Sequence, residues 1–162
     1  MVLNRATETV TQEGTPLHPK YPVAVHVFVL RGEEILLLRR LNTGYEDAKL
    51  SVVAGHVEPG ETVRQAAIRE TREEVGLALS FDRMQVVGAM HRRSDEERID
   101  FFLAYQLGGE TPQNAEAEKC SELVWASVSE LPNDTIPYVR VAIENFTKGQ
   151  WFQEFGWEYG RD

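Results

Sequence analysis

Three carboxylates are spaced so that they share one face of a predicted helix. Glu70, Glu73 and Glu74 stand at positions i, i+3 and i+4 within the segment GHVEPGETVRQAAIRETREEVGL, residues 55–77. Residues three and four apart on a helix are neighbours, and like charges at this spacing destabilise an isolated helix. A hard divalent cation would explain the arrangement, because Mg²⁺ takes oxygen ligands and neutralises the repulsion. The spacing therefore predicts a magnesium site.

The same segment resembles a family motif in the order of its fixed residues. Gly55 is followed after five residues by Glu61, and after seven more by the run RETREEVGL at residues 69–77. This pattern resembles the Nudix box of the MutT-like Nudix hydrolases. Only Thr71 departs from it, at a position that is usually a bulky aliphatic residue. The resemblance implies an enzyme that hydrolyses a diphosphate linkage in a nucleoside diphosphate derivative.

The resemblance also implies a set of metal ligands. Mg²⁺ is expected to bind the carbonyl oxygen of Gly55 and the carboxylates of Glu70, Glu73 and Glu74, and Mn²⁺ is expected to be able to replace it. Divalent cations withdraw charge from phosphate oxygens and lower the pKa of a bound water molecule. Mg²⁺ is therefore the predicted cofactor.

Further residues are candidates for acid–base and positioning roles. A carboxylate can take the proton of an attacking water molecule, and the family pattern favours Glu70 for this role. Arg69 is expected to hold a box glutamate in position. Glu61 lies at the helix start, where a carboxylate also interacts favourably with the helix dipole, so a direct role and a helix-end role are both open. In the family the general base sometimes comes from a loop, and Glu116 and Glu118 are the loop candidates here, with solvated loop charges as the alternative.

Substrate contacts are predicted from residues near the box. Arg40 ends a predicted strand and resembles an arginine that the family often has there, and His56 directly follows Gly55. Phe101 would supply an apolar wall for a nucleobase, although core packing is the alternative for a strand aromatic. His26, inside the first strand, is expected to be packed or hydrogen-bonded. Weaker candidates for phosphate contacts, each better explained as a surface charge, are Lys49, Arg92, Arg93, Arg98 and Lys119.

The pattern of strands and helices predicts an α+β fold. Hairpins rather than regular βαβ alternation connect the apolar runs, and the resemblance implies a Nudix-type α/β/α sandwich with a mixed sheet. Helices are predicted over residues 61–75 and 137–148, with a further helical turn at 127–131. Strands are predicted at residues 21–30, 35–38, 50–53, 84–91, 99–107 and 123–126.

The chain is expected to form one domain with two extensions. Residues 1–19 are polar and predict a flexible N-terminal arm, and residues 20–150 would form the hydrolase domain. Residues 151–162 include an aromatic cluster and are expected to pack on the core; the cluster consists of Trp151, Phe152, Phe155 and Trp157. A self-association surface or a lid on the substrate is the alternative for this tail.

Composition bounds the environment and the partners. The net charge of −9 over 162 residues makes a broad nucleic-acid-binding surface unexpected, so the predicted partner is a small nucleotide. The single cysteine, Cys120, allows no intramolecular disulfide and fits a reducing compartment. No signal peptide and no run of about 18 apolar residues is present, so a cytoplasmic location without a membrane is expected. For the oligomeric state, a monomer and a homodimer are both compatible with the sequence.

The leading functional hypothesis is Mg²⁺-dependent hydrolysis of a nucleoside triphosphate to monophosphate and pyrophosphate. A nucleotide sugar, a dinucleoside polyphosphate or ADP-ribose is the next substrate class. The alternative is a catalytically silent Nudix module that senses a nucleotide, but such sensors can lose box glutamates and this chain keeps all of them. Isomerisation of an isoprenoid diphosphate is disfavoured, because that related branch relies on a catalytic cysteine and a degenerate box.

Overall fold

The computed structural model describes residues 18–158. Most of the predicted arm, residues 1–17, and the last four residues lie outside this range. The elements run β1 (Val23–Arg31), β2 (Glu34–Arg40), β3 (Leu50–Ser51), β4 (Val53–His56), α1 (Val63–Val75), a 3₁₀ turn (Phe81–Arg83), β5 (Gln85–Arg93), β6 (Glu97–Gln106), β7 (Cys120–Ser127), α2 (Pro137–Lys148) and β8 (Phe152–Phe155).

The strands form a mixed sheet that divides along one edge of β1. Its order is β3-β2-β1-β6-β5-β8, with β4 also paired to β1 and β7 also paired to β2. Strand β1 pairs with β6 in parallel and with β2 and β4 in antiparallel orientation. Because β4 pairs with the first half of β1 and β2 with its last two residues, the sheet opens between β2 and β4. This opening provides the space for the cleft described below.

Two apolar cores cover the two faces of the sheet. Alternation along β1 sends Val25, Val27 and Val29 to a cluster with α1, and Phe28 and Leu30 to a cluster with α2. A period of two is the natural consequence of strand geometry. The predicted α+β class, with a mixed sheet between helices, is confirmed.

Helix α1 is fixed at both ends by its own sequence. The side chain of Thr62 accepts a hydrogen bond from the backbone of Gln65, whose side chain in turn accepts one from the backbone of Thr62. This capping box satisfies two amides at the helix start. The helix therefore begins at Val63, and Glu61, which was predicted inside it, lies before the cap. Gly76 ends the helix with φ of 68°, a conformation that favours glycine.

The buried side of α1 holds small residues, as its sequence pattern indicates. Ala66, Ala67, Thr71 and Val75 are buried, and the Thr71 hydroxyl donates to the Ala67 carbonyl at 2.7 Å. The hydroxyl at this position is thus satisfied within the helix and needs no partner from the sheet. Small side chains let α1 lie close to β1 and β4, so that the carboxylates of Glu70 and Glu74 reach the backbone of β4.

Other boundaries differ from the sequence-based expectation in identifiable ways. The predicted strand over residues 50–53 is split at Val52 into β3 and β4, which pair with different strands. Residues 127–131 were predicted as a helical turn, but after β7 the chain makes a hydrogen-bonded turn in which the Ser127 hydroxyl accepts from the amide of Ser129. The second helix has the predicted bounds, with proline at its first position and Gly149 after its end.

The start of the aromatic tail adds a strand to the sheet. Residues Phe152–Phe155 form β8, parallel to β5, and the Trp157 indole donates to the His91 carbonyl at 3.1 Å. Trp151 and Phe152 remain about half exposed. Among residues 18–158, no helix is long and apolar enough to cross a bilayer.

Candidate active site

A cleft of about 700 Å³ opens where the sheet divides. We call it the main cleft. The carboxylate face of α1 forms one wall, β4 lies along its floor, and β2, β3 and the loop that follows β2 form the other side. Its charged and polar lining residues are Arg40, Asn42, Thr43, Ser51, His56, Glu58, Arg69, Glu70, Glu73, Glu74, Glu116, Lys119 and Cys120.

Glu70 lies directly against the backbone of β4. A Cβ atom added at Gly55 would overlap the carboxyl group of Glu70, so only glycine leaves room for this carboxylate. On its other side, the Arg69 guanidinium donates to Glu70 Oε1 at 2.6 Å. Gly55 and Arg69, both predicted as site residues, therefore position the Glu70 carboxylate.

Glu74 is the most deeply buried of the three helix carboxylates. Its Oε2 accepts a hydrogen bond from the backbone amide of Ala54 at 3.0 Å. Burial, together with the negative charges of Glu70 and Glu116, raises the pKa of Glu74 to about 8. Burial likewise raises the pKa of Glu70, although its hydrogen bond from Arg69 opposes this. Two carboxyl groups thus lie where ionisation is costly unless a cation joins them.

Arg69 connects the start of α1 to the main cleft. Its Nε and Nη2 donate to the carboxylate of Glu61 at 2.7 and 3.0 Å, and Nη2 also donates to the His56 carbonyl at 3.0 Å. A longer bond of 3.4 Å reaches Glu73. Hydrogen bonding from Arg69 lowers the pKa of Glu61. Glu61 therefore contacts the site through Arg69, and it does not line the cleft.

The carboxylates fit a hard divalent cation. Oxygen donors are what Mg²⁺ prefers, and a bound cation would compensate the buried charge at Glu70 and Glu74. Among residues 18–158, no three His, Cys, Asp or Glu side chains converge tightly enough to enclose an ion by themselves. This suits Mg²⁺, which keeps several water ligands and binds through one or two carboxylates together with substrate phosphates.

The remaining sequence-based candidates separate into two groups. Arg40, His56 and Glu116 line the main cleft. Glu118 is exposed and does not line it. Phe101 does not line it either, because its side chain packs on the α1 side of the sheet against that core. The expected aromatic wall for a nucleobase is therefore not formed by Phe101.

A smaller side cleft of about 290 Å³ joins the main cleft across β4. Arg40, Ala54 and His56 line both. The side cleft is further lined by Ala24, His26, Tyr45, Gly55, Arg92, Asp95, Arg98 and Tyr138. Arg92 and Arg98 were predicted only as weak candidates, and neither tyrosine was predicted as a site residue.

A buried ion pair supports the wall of the side cleft. Arg92 donates to Asp100 at 2.6 Å, and His26 Nε2 lies 3.1 Å from the same carboxylate. Burial alone would favour the neutral acid, but hydrogen bonds from His26 and Arg92 hold the pKa of Asp100 at about 2. His26 is thus the hydrogen-bonded core histidine that was predicted.

Lys119, one of the weaker candidates for phosphate contacts, lies at the rim of the main cleft, whereas two other lining residues carry no signal in the sequence. They are Ser51 and Cys120, which are buried in its wall. The hydroxyl of Ser51 has no hydrogen-bond partner within residues 18–158. Only the pairing of β2 with β3 and β7 brings these residues to the cleft, so local sequence patterns could not have found them.

Comparisons with known proteins agree with this architecture. A family model described as the NUDIX domain matches residues 20–146. The NAD-capped RNA hydrolase NudC of Pseudomonas aeruginosa is 33% identical over 122 residues, covering 75% of this chain and 41% of that protein. The chain thus spans about two-fifths of the length of this relative.

Solved structures share the fold. The crystal structure of the MutT Nudix hydrolase from Burkholderia pseudomallei has a TM-score of 0.70 at 23% identity, covering 78% of this chain and 98% of that one. The solution structure of the E. coli ORF135 protein has a TM-score of 0.63 at 29% identity, covering 80% and 90%. The family model spans most of the chain and includes the glutamates that line the main cleft: this chain belongs to the Nudix hydrolase family.

Proposed function

We propose that this chain hydrolyses, with Mg²⁺ bound, the diphosphate linkage of a nucleoside triphosphate to give the monophosphate and pyrophosphate. The observation that supports this best is the position of Glu70, Glu73 and Glu74 along one wall of the main cleft, with the Arg40 guanidinium lining the same space. Carboxylates hold the cation and arginine holds phosphate oxygens. Nudix hydrolases generally use a divalent metal.

The three helix carboxylates have different roles in this proposal. Glu70 and Glu74 are the partly buried ligands, and Glu73, whose side chain is 49% exposed, contributes its charge from the rim. The chemistry supplied by bound Mg²⁺, or Mn²⁺ in its place, is neutralisation of charge on the diphosphate oxygens. Arg69 keeps Glu70 in position through the 2.6 Å hydrogen bond, and Glu61 keeps Arg69 in position.

Two carboxylates are placed to accept the proton of the attacking water molecule. Glu70 is held by Arg69 and Gly55, and Glu116 lines the same cleft, on a loop whose Ala115 amide donates to the Glu74 carbonyl. We propose Glu70 as the base, with Glu116 as the alternative from the loop before β7. Glu118 is outside the cleft, so we do not propose a role for it in proton transfer. Arg40 and His56 are proposed to contact the phosphates, since both lie at the junction of the two clefts.

A second candidate substrate is a dinucleotide of the NAD type, free or at the end of an RNA. The similarity to relatives named NAD-capped RNA hydrolase favours it. The net charge of −9 disfavours an extended RNA-binding surface, so we rank it below a nucleoside triphosphate. A nucleotide sugar or ADP-ribose uses the same diphosphate contacts. A silent sensor is disfavoured because the chain keeps all the box glutamates, and Glu70, Glu73 and Glu74 line the cleft.

The experiment is a substrate panel assayed with Mg²⁺, with Mn²⁺ and with EDTA. It contains nucleoside triphosphates, nucleotide sugars, ADP-ribose, NAD and an NAD-capped RNA oligonucleotide, and hydrolysis in oxygen-18 water identifies the attacked phosphorus. We expect metal-dependent release of pyrophosphate from a nucleoside triphosphate. The same panel tests the prediction that no nucleic-acid polymer is a partner.

A matched pair of variants completes the test. Glu70→Gln removes one negative charge in the main cleft, and Glu130→Gln removes one at an exposed turn after β7. We expect kcat to fall by about 10²-fold or more in the first variant and to stay unchanged in the second. Hydrolysis that does not depend on metal, or equal rates in Glu70→Gln and the wild type, would overturn the proposal.

Cytoplasmic location and a monomeric or homodimeric state also remain predictions, for cell fractionation and light scattering to test.

A further inference from the structure

The Arg40 guanidinium is held by the loop that directly follows it. Arg40 lies at the junction of the two clefts. Its Nε donates to the Tyr45 carbonyl at 2.7 Å, and its Nη2 donates to the Thr43 hydroxyl at 2.9 Å. Both partners belong to residues 41–49, which connect β2 to β3 and which we call the β2–β3 loop. Because an arginine side chain has many rotamers, these two hydrogen bonds select one orientation of the guanidinium.

The third nitrogen of this guanidinium remains available for a ligand. Within residues 18–158, Nη1 of Arg40 makes no hydrogen bond and is not one of the buried side-chain atoms without a partner. It is therefore open to solvent at the junction of the clefts, where the phosphates of the proposed substrate would lie. An arginine whose orientation is fixed before binding loses less conformational entropy when it binds phosphate oxygens.

Asp47 organises the hydroxyl that holds Arg40. The Thr43 hydroxyl donates to Asp47 Oδ1 at 2.6 Å, and the amides of Thr43 and Gly44 each donate to the same carboxylate at 3.0 Å. Since the hydroxyl has a single proton and gives it to Asp47, its lone pairs are free to accept from Arg40. Hydrogen bonds from Thr43 and Gly44, together with the charge of Arg40, hold the pKa of Asp47 below its ordinary value. Asp47 itself lines neither cleft.

The β2–β3 loop has a backbone conformation that its residues do not favour. Within residues 18–158, the non-glycine residues with positive φ are Asn42, Glu46 and Ala48, at 52°, 48° and 69°. Asparagine tolerates this region, but the Cβ atom makes it unfavourable for glutamate and alanine. Such a conformation persists only where surrounding contacts hold it. The hydrogen bonds to Asp47 and from Arg40 are therefore needed to maintain the loop.

The ends of the β2–β3 loop are fixed to the sheet. The amide of Ala48 donates to the Arg40 carbonyl at 2.9 Å, and the Arg39 side chain donates to the Ala48 carbonyl at 2.7 Å. Because the ends are fixed, the part of the loop between them takes its conformation from the hydrogen bonds to Asp47. That part contains both partners of the Arg40 guanidinium.

We propose that Asp47 and Thr43 are positioning residues for the reaction: Asp47 orients the Thr43 hydroxyl, and this hydroxyl directs the Arg40 guanidinium toward the phosphates of the substrate. This inference rests on the proposed phosphate contact of Arg40. Neither Asp47 nor Thr43 acts on the reacting atoms, so the loop affects the reaction only through the orientation of Arg40. Loss of the hydroxyl therefore weakens substrate binding and leaves the chemical step unchanged.

The test combines single variants with a double-mutant cycle. Thr43→Val removes the hydroxyl and keeps the shape of the side chain, Thr43→Ser keeps the hydroxyl, and Asp47→Ala removes the carboxylate. The matched controls are Thr147→Val, at the exposed end of α2, and Asp82→Ala, in the exposed 3₁₀ turn. Thr43→Val is also made in an Arg40→Met background. Thermal melting establishes that each variant is folded, and Thr43→Val serves if Asp47→Ala is not.

We expect KM for the best substrate of the panel to rise about fivefold in Thr43→Val, the effect of one hydrogen bond, and at least as much in Asp47→Ala. The kcat of both variants should be unchanged, because only binding is weakened. Thr43→Ser should recover most of the loss, and both controls should resemble the wild type. In the Arg40→Met background, Thr43→Val should cause no further rise, because the group that the hydroxyl orients is gone.

Three results would overturn the inference. An equal rise with and without Arg40 would show that the Thr43 hydroxyl contacts the substrate itself. A wild-type KM in Thr43→Val or in Asp47→Ala would show that the loop does not position Arg40. A rise in Thr147→Val as large as in Thr43→Val would show that the effect is not specific to the loop.

A readout that needs no turnover separates this inference from the proposed function. Isothermal titration calorimetry measures the binding of inorganic pyrophosphate, with Mg²⁺ present, to the wild type and the same variants. If the wild type hydrolyses nothing but binds pyrophosphate about fivefold more tightly than Thr43→Val does, the proposed reaction fails and the positioning role stands. If hydrolysis is metal-dependent but Thr43→Val equals the wild type in affinity and in KM, the positioning role fails and the reaction stands.

Discussion

Replacing Glu74 by Gln separates the structural cost of this carboxylate from its use in metal binding. The glutamine keeps an oxygen that can accept the Ala54 amide, now at 3.0 Å from Glu74 Oε2, but it carries no charge. In metal-free protein the ionised glutamate is disfavoured by burial and by Glu70 and Glu116. We therefore expect Glu74→Gln to be more stable than the wild type at high pH when no metal is present.

The size of the effect follows from the displaced pKa. Burial raises the pKa of Glu74 from 4.5 to about 8, and a displacement of this size corresponds to about 4–5 kcal/mol at most. Water that enters the cleft lowers this cost of ionisation. We therefore expect ionised Glu74 to lower the free energy of unfolding by about 2 kcal/mol. The pKa of Glu74 is higher in the folded protein than in the unfolded chain, so the protonated side chain contributes stability to the wild type. This contribution is fully present below pH 4.5 and is lost as the pH rises to about 8.

The assay is urea unfolding of both proteins at pH 5 and pH 9, with EDTA and with Mg²⁺. With EDTA, we expect the free energy of unfolding of Glu74→Gln, relative to the wild type, to increase by about 2 kcal/mol between the two pH values. With Mg²⁺ at pH 9, the wild type should gain stability, because a ligand that binds only the folded state stabilises it, and the variant should gain less.

Two results would refute this reasoning. A difference between variant and wild type that does not change with pH would mean that Glu74 ionises freely in the folded protein. A wild type whose stability is the same with EDTA and with Mg²⁺, at concentrations that support turnover, would mean that its buried carboxylates do not bind the cation.

Three further substitutions test other parts of the site and its support. Gly55→Ala should displace the Glu70 carboxylate and lower kcat/KM about tenfold or more with little change in Tm. Wild-type activity in this variant would show that the close contact between Gly55 and the Glu70 carboxyl group is unimportant. Asp100→Asn should leave Arg92 buried without a counter-charge and cost about 3–5 kcal/mol in urea unfolding, whereas a loss below about 1 kcal/mol would contradict a buried ion pair. Thr62→Ala should remove the cap of α1 and cost about 1 kcal/mol, and an unchanged Tm would argue against the capping box.

Local sequence patterns were sufficient to predict that Glu70, Glu73 and Glu74 share one face of α1, the face that lines the main cleft. The i, i+3, i+4 spacing of Glu70, Glu73 and Glu74 places them on one face of any helix, whatever its surroundings. Gly76 and Gly149 marked the ends of both helices, where the structure has φ of 68° and 70°. The start of α1 was predicted at Glu61 because the capping role of Thr62 was not recognised.

The side cleft could not be predicted, because it depends on strand register. His26 and Asp100 are 74 residues apart and meet through the parallel pairing of β1 with β6. Arg92 joins them only because β5 pairs with β6. A single sequence contains no signal for these registers, so Arg92 and Arg98 looked like ordinary surface charges.

Phe101 shows the converse error. An aromatic residue in a strand near the site was a reasonable wall for a base, and alternation correctly separated Phe101 and Tyr105 from Phe102. Alternation does not say which face of the sheet borders a cleft. The side cleft lies with His26 and Tyr138 on the α2 side, and Phe101 lies with the α1 core.

The most direct test of the account is a crystal structure with Mg²⁺ and a non-hydrolysable nucleoside triphosphate analogue. We expect Mg²⁺ at about 2.1 Å from carboxylate oxygens of Glu70 and Glu74, in contact with the diphosphate in the main cleft. Glutamate side chains that point into solvent, with the cation and the phosphates bound elsewhere, would contradict it.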